Sequence, residues 1–250
     1  MKKPKWVIKK EKDEKNSQKQ TYWMFGLHAV RDALVNQNRE KFRLMTTKNA
    51  AVKLSESISV SGMIPEIFDT REFKPPIDKN SVHQGAVLEV ESLKWGSLDD
   101  LIMNSINNPI RLILLDQVMD PHNVGAILRS AEVFGASAVV GTKIHSPSET
   151  GALAKSASGA LERQPYIRIR NLADTLLHLK KMGFICIGLD GKAENTLPDI
   201  QDISSRPTAL VFGSEGSGLR LRTKQTVEFL VKVPFTCLLY TSDAADDRVS

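Results

Sequence analysis

Residues 111–140 decide the fold, and they read RLILLDQVMDPHNVGAILRSAEVFGASAVV. The apolar run Arg111–Leu115 predicts a buried strand, and the polar loop that follows it contains Pro121. We expect a helix over Val124–Phe134 and a second apolar strand over Ala138–Val140. Continuous apolar strands that alternate with helices indicate a mostly parallel sheet covered on both faces.

The same alternation continues toward the end of the chain, where apolar runs are separated by segments with helical spacing. The further predicted strands are Tyr166–Ile169, Phe184–Gly188, Thr208–Phe212 and Phe229–Val233, and the further predicted helices are Ser148–Leu161, Leu172–Met182 and Leu219–Thr226. The predicted fold class is therefore α/β with a mostly parallel sheet.

A smaller α/β domain is predicted upstream, over residues 21–92. Its predicted helices are Gly26–Val35 and Ala50–Val60, and its predicted strands are Phe42–Thr46, Ile64–Phe68 and His83–Val90. Residues 93–108 form a predicted linker, in which Ser97 and Asp100 have the spacing of a capping box that opens a short helix.

The composition is that of a globular chain. Of the 250 residues, 41% are hydrophobic and 25% are charged, and no apolar run approaches the roughly 18 residues of a membrane helix. The two cysteines, Cys186 and Cys237, fit neither a disulfide framework nor a metal site. We therefore expect a cytoplasmic location and no membrane partner.

The excess positive charge lies entirely in residues 1–20, here called the lysine-rich tail. This tail holds eight lysines against three acidic residues, which accounts for the whole formal charge of +5. It has no amphipathic period and no continuous apolar run, so we expect a disordered basic tail and not a secretory signal.

Two loops that follow predicted strands carry the candidate functional residues. In the first, Asn123 is either a helix N-cap or a functional residue. Arg129 is either a residue of the helix surface or a charge that binds an anion. In the second, residues 212–219 (FGSEGSGL) place three glycines around Glu215, which suits solvation or contact with a hydroxyl or a cation. Ligands of open parallel sheets bind outside the carboxyl ends of the strands, where both loops are expected.

Other chemistries have weaker support. The glycine spacing G-x-x-G-x-G is a poor fit to a dinucleotide fingerprint, and Ser156 and Ser158 lack the nucleophile-elbow pattern of serine hydrolases. No metal site is expected, because the histidines lack metal-ligand spacing; they include His83, His122, His145 and His178.

Three segments taken together are far more specific. DPHNVGAILRSA (120–131), KSASGAL (155–161) and FGSEGSGL (212–219) strongly resemble the SpoU (TrmH-type) RNA 2′-O-ribose methyltransferases of the SPOUT class. FGLHAV (25–30) and HQGAV (83–87) resemble the substrate-binding domain that precedes many such catalytic domains. The resemblance spans about residues 22–236 and is nearest to the subgroup that modifies a guanosine of 23S rRNA.

This resemblance implies a catalytic domain over residues 109–236 with a trefoil knot, S-adenosyl-L-methionine as methyl donor, and a homodimer with its site near the subunit interface. It implies an RNA substrate, with rRNA favoured and tRNA left open. The implied catalytic residues are Asn123, Arg129 and Glu215. The implied cofactor-binding residues are Phe212, Gly213, Ser214, Gly216, Gly218, Leu219 and Val233.

The chain departs from the family after its last predicted strand. There the family has a glycine-containing turn, a Ser-Leu-Asn-Val-Ser-like segment and a final helix, whereas residues 236–250 read TCLLYTSDAADDRVS. We expect residues 237–250 to be non-native sequence and the knot to be incomplete. An RNA-binding protein of this fold without catalysis is therefore the alternative, and an NAD-dependent dehydrogenase is a weaker one.

Deletion of residues 1–20 should weaken RNA affinity without changing the methylated nucleotide, because a lysine-rich tail attracts phosphates independently of sequence. Filter binding at several salt concentrations measures the affinity, and mapping of 2′-O-methylation identifies the nucleotide. A changed target nucleotide would contradict this division of roles.

Overall fold

The computed structural model describes residues 21–105, 109–197, 200, 203 and 205–233, which fall into two compact units. Unit 1 comprises the described residues up to Lys94 together with Glu149–Glu162, and unit 2 comprises Trp95–Ser148 and the described residues from Arg163 onward. By its contacts, the segment Glu149–Glu162 thus belongs with unit 1, although the predicted domain boundaries count it with the catalytic domain. The lysine-rich tail and residues 237–250 lie outside the described residues.

The strands and helices alternate along the chain. The strands are β1 (Thr21–Phe25), β2 (Lys41–Thr47), β3 (Glu66–Phe68), β4 (Ala86–Glu91), β5 (Arg111–Asp116), β6 (Ala138–Thr142), β7 (Tyr166–Ile169), β8 (Ile185–Leu189), β9 (Thr208–Gly213) and β10 (Phe229–Val231). The helices are α1 (Leu27–Val35), α2 (Lys48–Lys53), α3 (Ser55–Ser61), α4 (Leu98–Asn104), α5 (Pro121–Val133), α6 (Gly151–Ala157), α7 (Leu172–Lys181) and α8 (Leu221–Thr226). None of the helices in these described stretches is long and apolar enough to cross a membrane.

Unit 2 is built on a six-stranded sheet in the order β10-β8-β9-β5-β6-β7, in which every pair of neighbouring strands is parallel. This arrangement confirms the predicted α/β class. β5 and β9 are neighbours in register from Arg111 beside Thr208 to Asp116 beside Gly213. The loops that follow these two strands therefore start side by side, at the carboxyl edge of the sheet.

The core of unit 2 explains why the strands read as continuous apolar runs. Leu112 and Leu114 of β5, and Val211 of β9, are buried in one hydrophobic cluster with Leu176 of α7. Burial on both faces of a parallel sheet removes the polar alternation that a half-exposed strand would show. The predicted knot concerns residues beyond the described part of the chain, and it stays a prediction.

Helix α5 begins earlier than the sequence indicates. Asp120 is its N-cap, since the Asp120 carboxylate accepts a hydrogen bond of 2.8 Å from the backbone N–H of His122, and Pro121 occupies the first helical position. Proline suits that position because its missing N–H would be unpaired there anyway. The interpretation of Asn123 as the N-cap is therefore wrong, and Asn123 lies in the first turn of the helix.

Three other predicted helices differ from the structure by two residues or more at one or both ends. The single helix predicted over Ala50–Val60 is divided into α2 and α3, because the buried Leu54 takes a non-helical conformation between them. α6 is shorter than predicted, since Ser158 adopts a left-handed conformation at its end and a 3₁₀ turn follows over Ala160–Glu162. α8 begins at Leu221 instead of Leu219, and the strand β1 was not predicted.

Unit 1 has a four-stranded sheet and a buried ionic cluster. The strand order is β1-β4-β2-β3, with β4 antiparallel to both β1 and β2 and β3 parallel to β2. The side chain of Arg39 is fully buried and donates to Glu162 at 2.6 Å and 3.0 Å and to Glu149 at 2.8 Å. The hydroxyl of Tyr22 donates to Glu149 at 3.1 Å. One guanidinium thus joins the segment Glu149–Glu162 to the rest of unit 1.

Two buried carboxylates share this one guanidinium. Burial raises the pKa of Glu149, and burial together with the neighbouring carboxylate raises the pKa of Tyr22 well above its ordinary value. Both raised pKa values mean that burial disfavours the negatively charged forms of Glu149 and Tyr22. The positive charge of Arg39 therefore offsets the cost of burying this cluster.

Replacing Arg39 with Met should lower the free energy of unfolding by about 3–5 kcal/mol, because it leaves two buried carboxylates without a cation. Urea denaturation measures this loss. The matched control is Arg43→Met, since Arg43 makes a similar two-bond pair with Glu66 but on the surface. Equal losses in the two variants would contradict the account.

Candidate functional site

A buried carboxylate at the end of β5 holds the loop that follows β9. Asp116, the last residue of β5, is fully buried. Its carboxylate accepts hydrogen bonds from the backbone N–H of Arg220 at 2.9 Å and from Nε of the same residue at 2.6 Å. Because a buried carboxylate is costly without such partners, these bonds fix the end of the loop that follows β9.

A second contact joins the loop after β9 to α5. Nδ2 of Asn123, in the first turn of α5, donates to Oε1 of Glu215 at 2.8 Å. The structure thus brings together two of the three predicted catalytic residues. Glu215 is exposed, and its partner is an amide instead of the cation or hydroxyl considered from sequence.

Arg129, the third predicted catalytic residue, lies farther along α5. It is exposed and makes no hydrogen bond or ion pair with any residue in the described part of the chain. The structure therefore does not bring Arg129 into contact with Asn123 and Glu215.

The glycines shape a tight turn after β9. The backbones of Ser214 and Gly218 exchange two hydrogen bonds, at 3.2 Å and 3.0 Å, which fold the loop back on itself. Gly216 and Gly218 have φ of +82° and +65°, a conformation that favours glycine. A Cβ on Gly213 would lie 2.3 Å from the carbonyl carbon of Gly218, so the turn also excludes a side chain at Gly213.

The structure places the other predicted cofactor-binding residues in different surroundings. Ser214 is part of the turn, where its hydroxyl lies 2.5 Å from that of Ser217. Phe212 is half-buried at the end of β9, whereas Leu219 is buried in the core of unit 2. Val233 follows β10, which is separated from β9 by β8 in the sheet. The assignment of these residues to a cofactor stays a prediction.

Sequence reasoning missed Asp116 and Arg220. A signal for Asp116 was present, since a charged residue directly follows the apolar run Leu112–Leu115 at the expected end of a strand. No sequence signal identifies Arg220 as its partner, because the two residues are 104 positions apart. Gln117, which follows Asp116, has φ of +61°, a strained conformation for a residue other than glycine and one that occurs at functional sites.

Comparison with models of protein families shows to which family the chain belongs. The family model for the SpoU rRNA Methylase family matches residues 110–237, which include both loops of the site. The chain belongs to the SpoU rRNA methylase family. The resemblance stated from sequence is confirmed, and so is the predicted enzyme class, an RNA 2′-O-ribose methyltransferase.

Individual relatives agree with this family. The chain is 35% identical over 225 residues to the 23S rRNA (guanosine-2'-O-)-methyltransferase RlmB of Coxiella burnetii, covering 84% of this chain and 85% of that protein. It is 42% identical over 152 residues to the RlmB protein of Ralstonia nicotianae, covering 61% of this chain and 60% of the relative.

Solved structures share the fold of this SpoU family member. The SpoU methyltransferase AviRb from Streptomyces viridochromogenes, in complex with the cofactor AdoMet, superposes with a TM-score of 0.70 at 18% identity, covering 92% of this chain and 87% of that chain. The AdoMet-bound rRNA methyltransferase from Sinorhizobium meliloti gives a TM-score of 0.66 at 19% identity, covering 93% of this chain and 84% of that chain.

The buried Asp116 and the partly exposed Arg220 should respond unequally to neutral substitution. Arg220→Gln leaves the buried Asp116 carboxylate without its cation and should cost about 3 kcal/mol of unfolding free energy. Asp116→Asn leaves a guanidinium that is 40% exposed and hydrated, and should cost about half as much. Urea denaturation of both variants measures the difference, and equal or reversed losses would contradict the burial argument.

Proposed function

We propose that this chain transfers a methyl group from S-adenosyl-L-methionine to the ribose 2′-hydroxyl of a guanosine in 23S rRNA. The observation that carries the proposal is the pairing of Asn123 with Glu215 across the two loops at the carboxyl ends of β5 and β9. Both loops contain the motifs of the SpoU family, and the relatives described above act on a guanosine of 23S rRNA.

The glycine turn fits a methyl donor bound against the backbone. A Cβ on Gly216 or Gly218 would meet no atom within 4 Å, so a ligand can approach the main chain of the turn from this open side. Bound S-adenosyl-L-methionine supplies an electrophilic methyl group on a positively charged sulfonium. We assign Gly213, Ser214, Gly216 and Gly218 to the wall of its site.

Methyl transfer would break the bond between the donor's methyl carbon and its sulfonium sulfur, form a bond from that carbon to the 2′ oxygen, and pass the hydroxyl proton to solvent water, with S-adenosyl-L-homocysteine as the leaving group. We assign to Arg129 the anchoring of a substrate phosphate and the polarisation of the hydroxyl. A guanidinium stays protonated in proteins, so Arg129 does not serve as the base. Asn123 and Glu215 hold the two loops in one geometry, and such positioning supplies much of the rate.

The cytoplasm is the proposed location of this activity. Cys186 is a free, buried thiol, and burial raises its pKa to about 12, which keeps it unreactive as a thiol. The proposed rRNA substrate also requires that the chain be in the compartment that contains the ribosomes.

A test of the function supplies the chain with tritiated methyl S-adenosyl-L-methionine and 23S rRNA from a strain that lacks the gene. Nuclease digestion should release labelled 2′-O-methylguanosine, and tRNA should remain unlabelled under the same conditions. Binding of 23S rRNA without methyl transfer would favour the alternative of a non-catalytic RNA-binding protein.

Arg129→Lys should lower methyl transfer by about 100-fold, because lysine keeps the charge but loses the planar, two-pronged guanidinium. Initial rates with labelled donor measure the loss. The matched control is Arg111→Lys, since Arg111 is an exposed arginine at the amino end of β5 and should retain wild-type rates. Full activity of Arg129→Lys would refute the role assigned to Arg129.

We propose a homodimer whose interface includes the C-terminal end of α5. Val133 and Phe134 there are 78% and 79% exposed, a large apolar area to leave in water. A second copy of the chain covers this area in our proposal, because the resemblance implies a homodimer.

Phe134→Glu should shift the protein from dimer to monomer in sedimentation velocity, because a carboxylate in an apolar interface loses its hydration. Val60→Glu is the control, since Val60 is 65% exposed on α3 of unit 1. A wild-type monomer, or equal effects of both variants, would contradict the proposed interface.

A further inference from the structure

A pocket in unit 2 is lined by basic side chains that the assignment of catalytic and cofactor roles leaves unused. It is a cavity of about 210 Å³ beyond the carboxyl ends of β6 and β7, bounded on its other side by the start of α8. Its basic lining residues are His145, Arg170, Arg220 and Arg222, and none of its described lining residues is acidic.

Arg220 is fixed in one orientation at this pocket. Asp116 engages its backbone N–H and its Nε, as described above. The two terminal nitrogens of the Arg220 guanidinium donate to no described residue. A buried carboxylate therefore holds the guanidinium and leaves its outer edge available, which reduces the conformational cost of binding a ligand.

The wall of the pocket opposite Arg220 is also held in one conformation. Arg168 of β7 donates to the backbone carbonyls of four residues at the end of β6 and in the loop after it, at distances of 2.6 to 3.2 Å; they are Thr142, Lys143, Ser146 and Pro147. The hydroxyl of Tyr166 donates to the carbonyl of Pro147 at 2.8 Å. His145 lies in this loop. Arg168 thus holds this wall of the pocket in place, whereas Arg170, Arg220 and Arg222 line the cavity.

The charged side chains at the pocket leave it with a net positive charge. Arg220 is neutralised by Asp116, and Arg222 forms an exposed pair with Asp174 at 3.1 Å. Arg170 is exposed and makes no ion pair with any residue in the described ranges. Guanidinium groups with free paired donors match the oxygen geometry of phosphate.

We propose that this pocket binds a backbone phosphodiester of the RNA substrate, beside the candidate catalytic site. Arg220 and Glu215 belong to one loop, so a phosphate in the pocket places its strand next to the Asn123–Glu215 pair. None of the residues assigned to the methyl-donor site, which are Gly213, Ser214, Gly216 and Gly218, lines the pocket, so the pocket is distinct from that site. This inference rests on the proposed RNA methyltransferase function and adds a contact that orients the substrate.

The test compares Arg170→Gln with Arg111→Gln in the full chain. Both variants remove one exposed, unpaired positive charge, but Arg111 lies at the amino end of the same sheet, away from the pocket. Filter binding to a 23S rRNA transcript over a range of salt concentrations gives the affinity and its salt dependence. Calorimetric titration with S-adenosyl-L-methionine reports the donor site separately.

Arg170→Gln should weaken RNA binding roughly fivefold to tenfold and reduce the salt slope by about 0.7, the value for one lost phosphate contact with a single strand. Arg222→Gln should weaken RNA binding in the same direction. Arg111→Gln should match the wild type in RNA affinity, and all variants should keep wild-type donor affinity.

Three results would overturn the inference. Equal RNA affinities of Arg170→Gln and Arg111→Gln would show that the pocket holds no phosphodiester, although the proposed function would stand. Loss of donor affinity with unchanged RNA binding would assign the pocket to the carboxylate of the methyl donor. Failure of the wild type to bind or methylate RNA would instead refute the proposed function and, with it, this site.

Discussion

The site depends on one ion pair, between the buried carboxylate of Asp116 and the guanidinium and backbone N–H of Arg220. The parallel pairing of β5 with β9 brings the ends of these strands together, but it leaves the loops beyond them free to take many conformations. The cost of burying an unpaired carboxylate removes most of those conformations. Once the end of the β9 loop is fixed, Glu215 lies within hydrogen-bond distance of Asn123.

The same principle applies in other parts of the molecule. In unit 1 the buried guanidinium of Arg39 organises the segment Glu149–Glu162, and in unit 2 the guanidinium of Arg168 organises the loop after β6. In each case a rigid group with several donors satisfies oxygens that are far away in sequence. The loops of this SpoU family member are thus defined by charge-assisted hydrogen bonds more than by apolar packing.

Local patterns predicted much of the fold, because strand burial and helix periodicity are local properties of the sequence. The strands of unit 2, the capping box at Ser97 and the position of both functional loops could be read in this way. The start of α5 was misplaced, because Asp120 and Asn123 are both good N-cap residues and only the position of Pro121 in the helix distinguishes them. The pairing of Asp116 with Arg220 could not be predicted, since it joins residues that are distant in sequence and carry no mutual pattern.

For the candidate site, sequence motifs identified Asn123 and Glu215, and the structure adds the hydrogen bond between them. The guanidinium of Arg129, which has no partner among the described residues, and the arginine-lined pocket both lie at the surface of unit 2. This arrangement separates two tasks. Ion pairs with buried carboxylates hold the loops in place, and in our proposal the exposed cations bind the RNA.

Hydrogen–deuterium exchange of Asp116→Asn tests the central claim most directly. The amides of Ser217, Gly218 and Arg220 are hydrogen-bonded within the loop or to Asp116. We predict that the loop over residues 214–220 exchanges roughly tenfold faster in this variant, while the amides of β6 keep wild-type protection. Unchanged exchange in the loop, or equal acceleration in both segments, would contradict the claim that Asp116 organises the site.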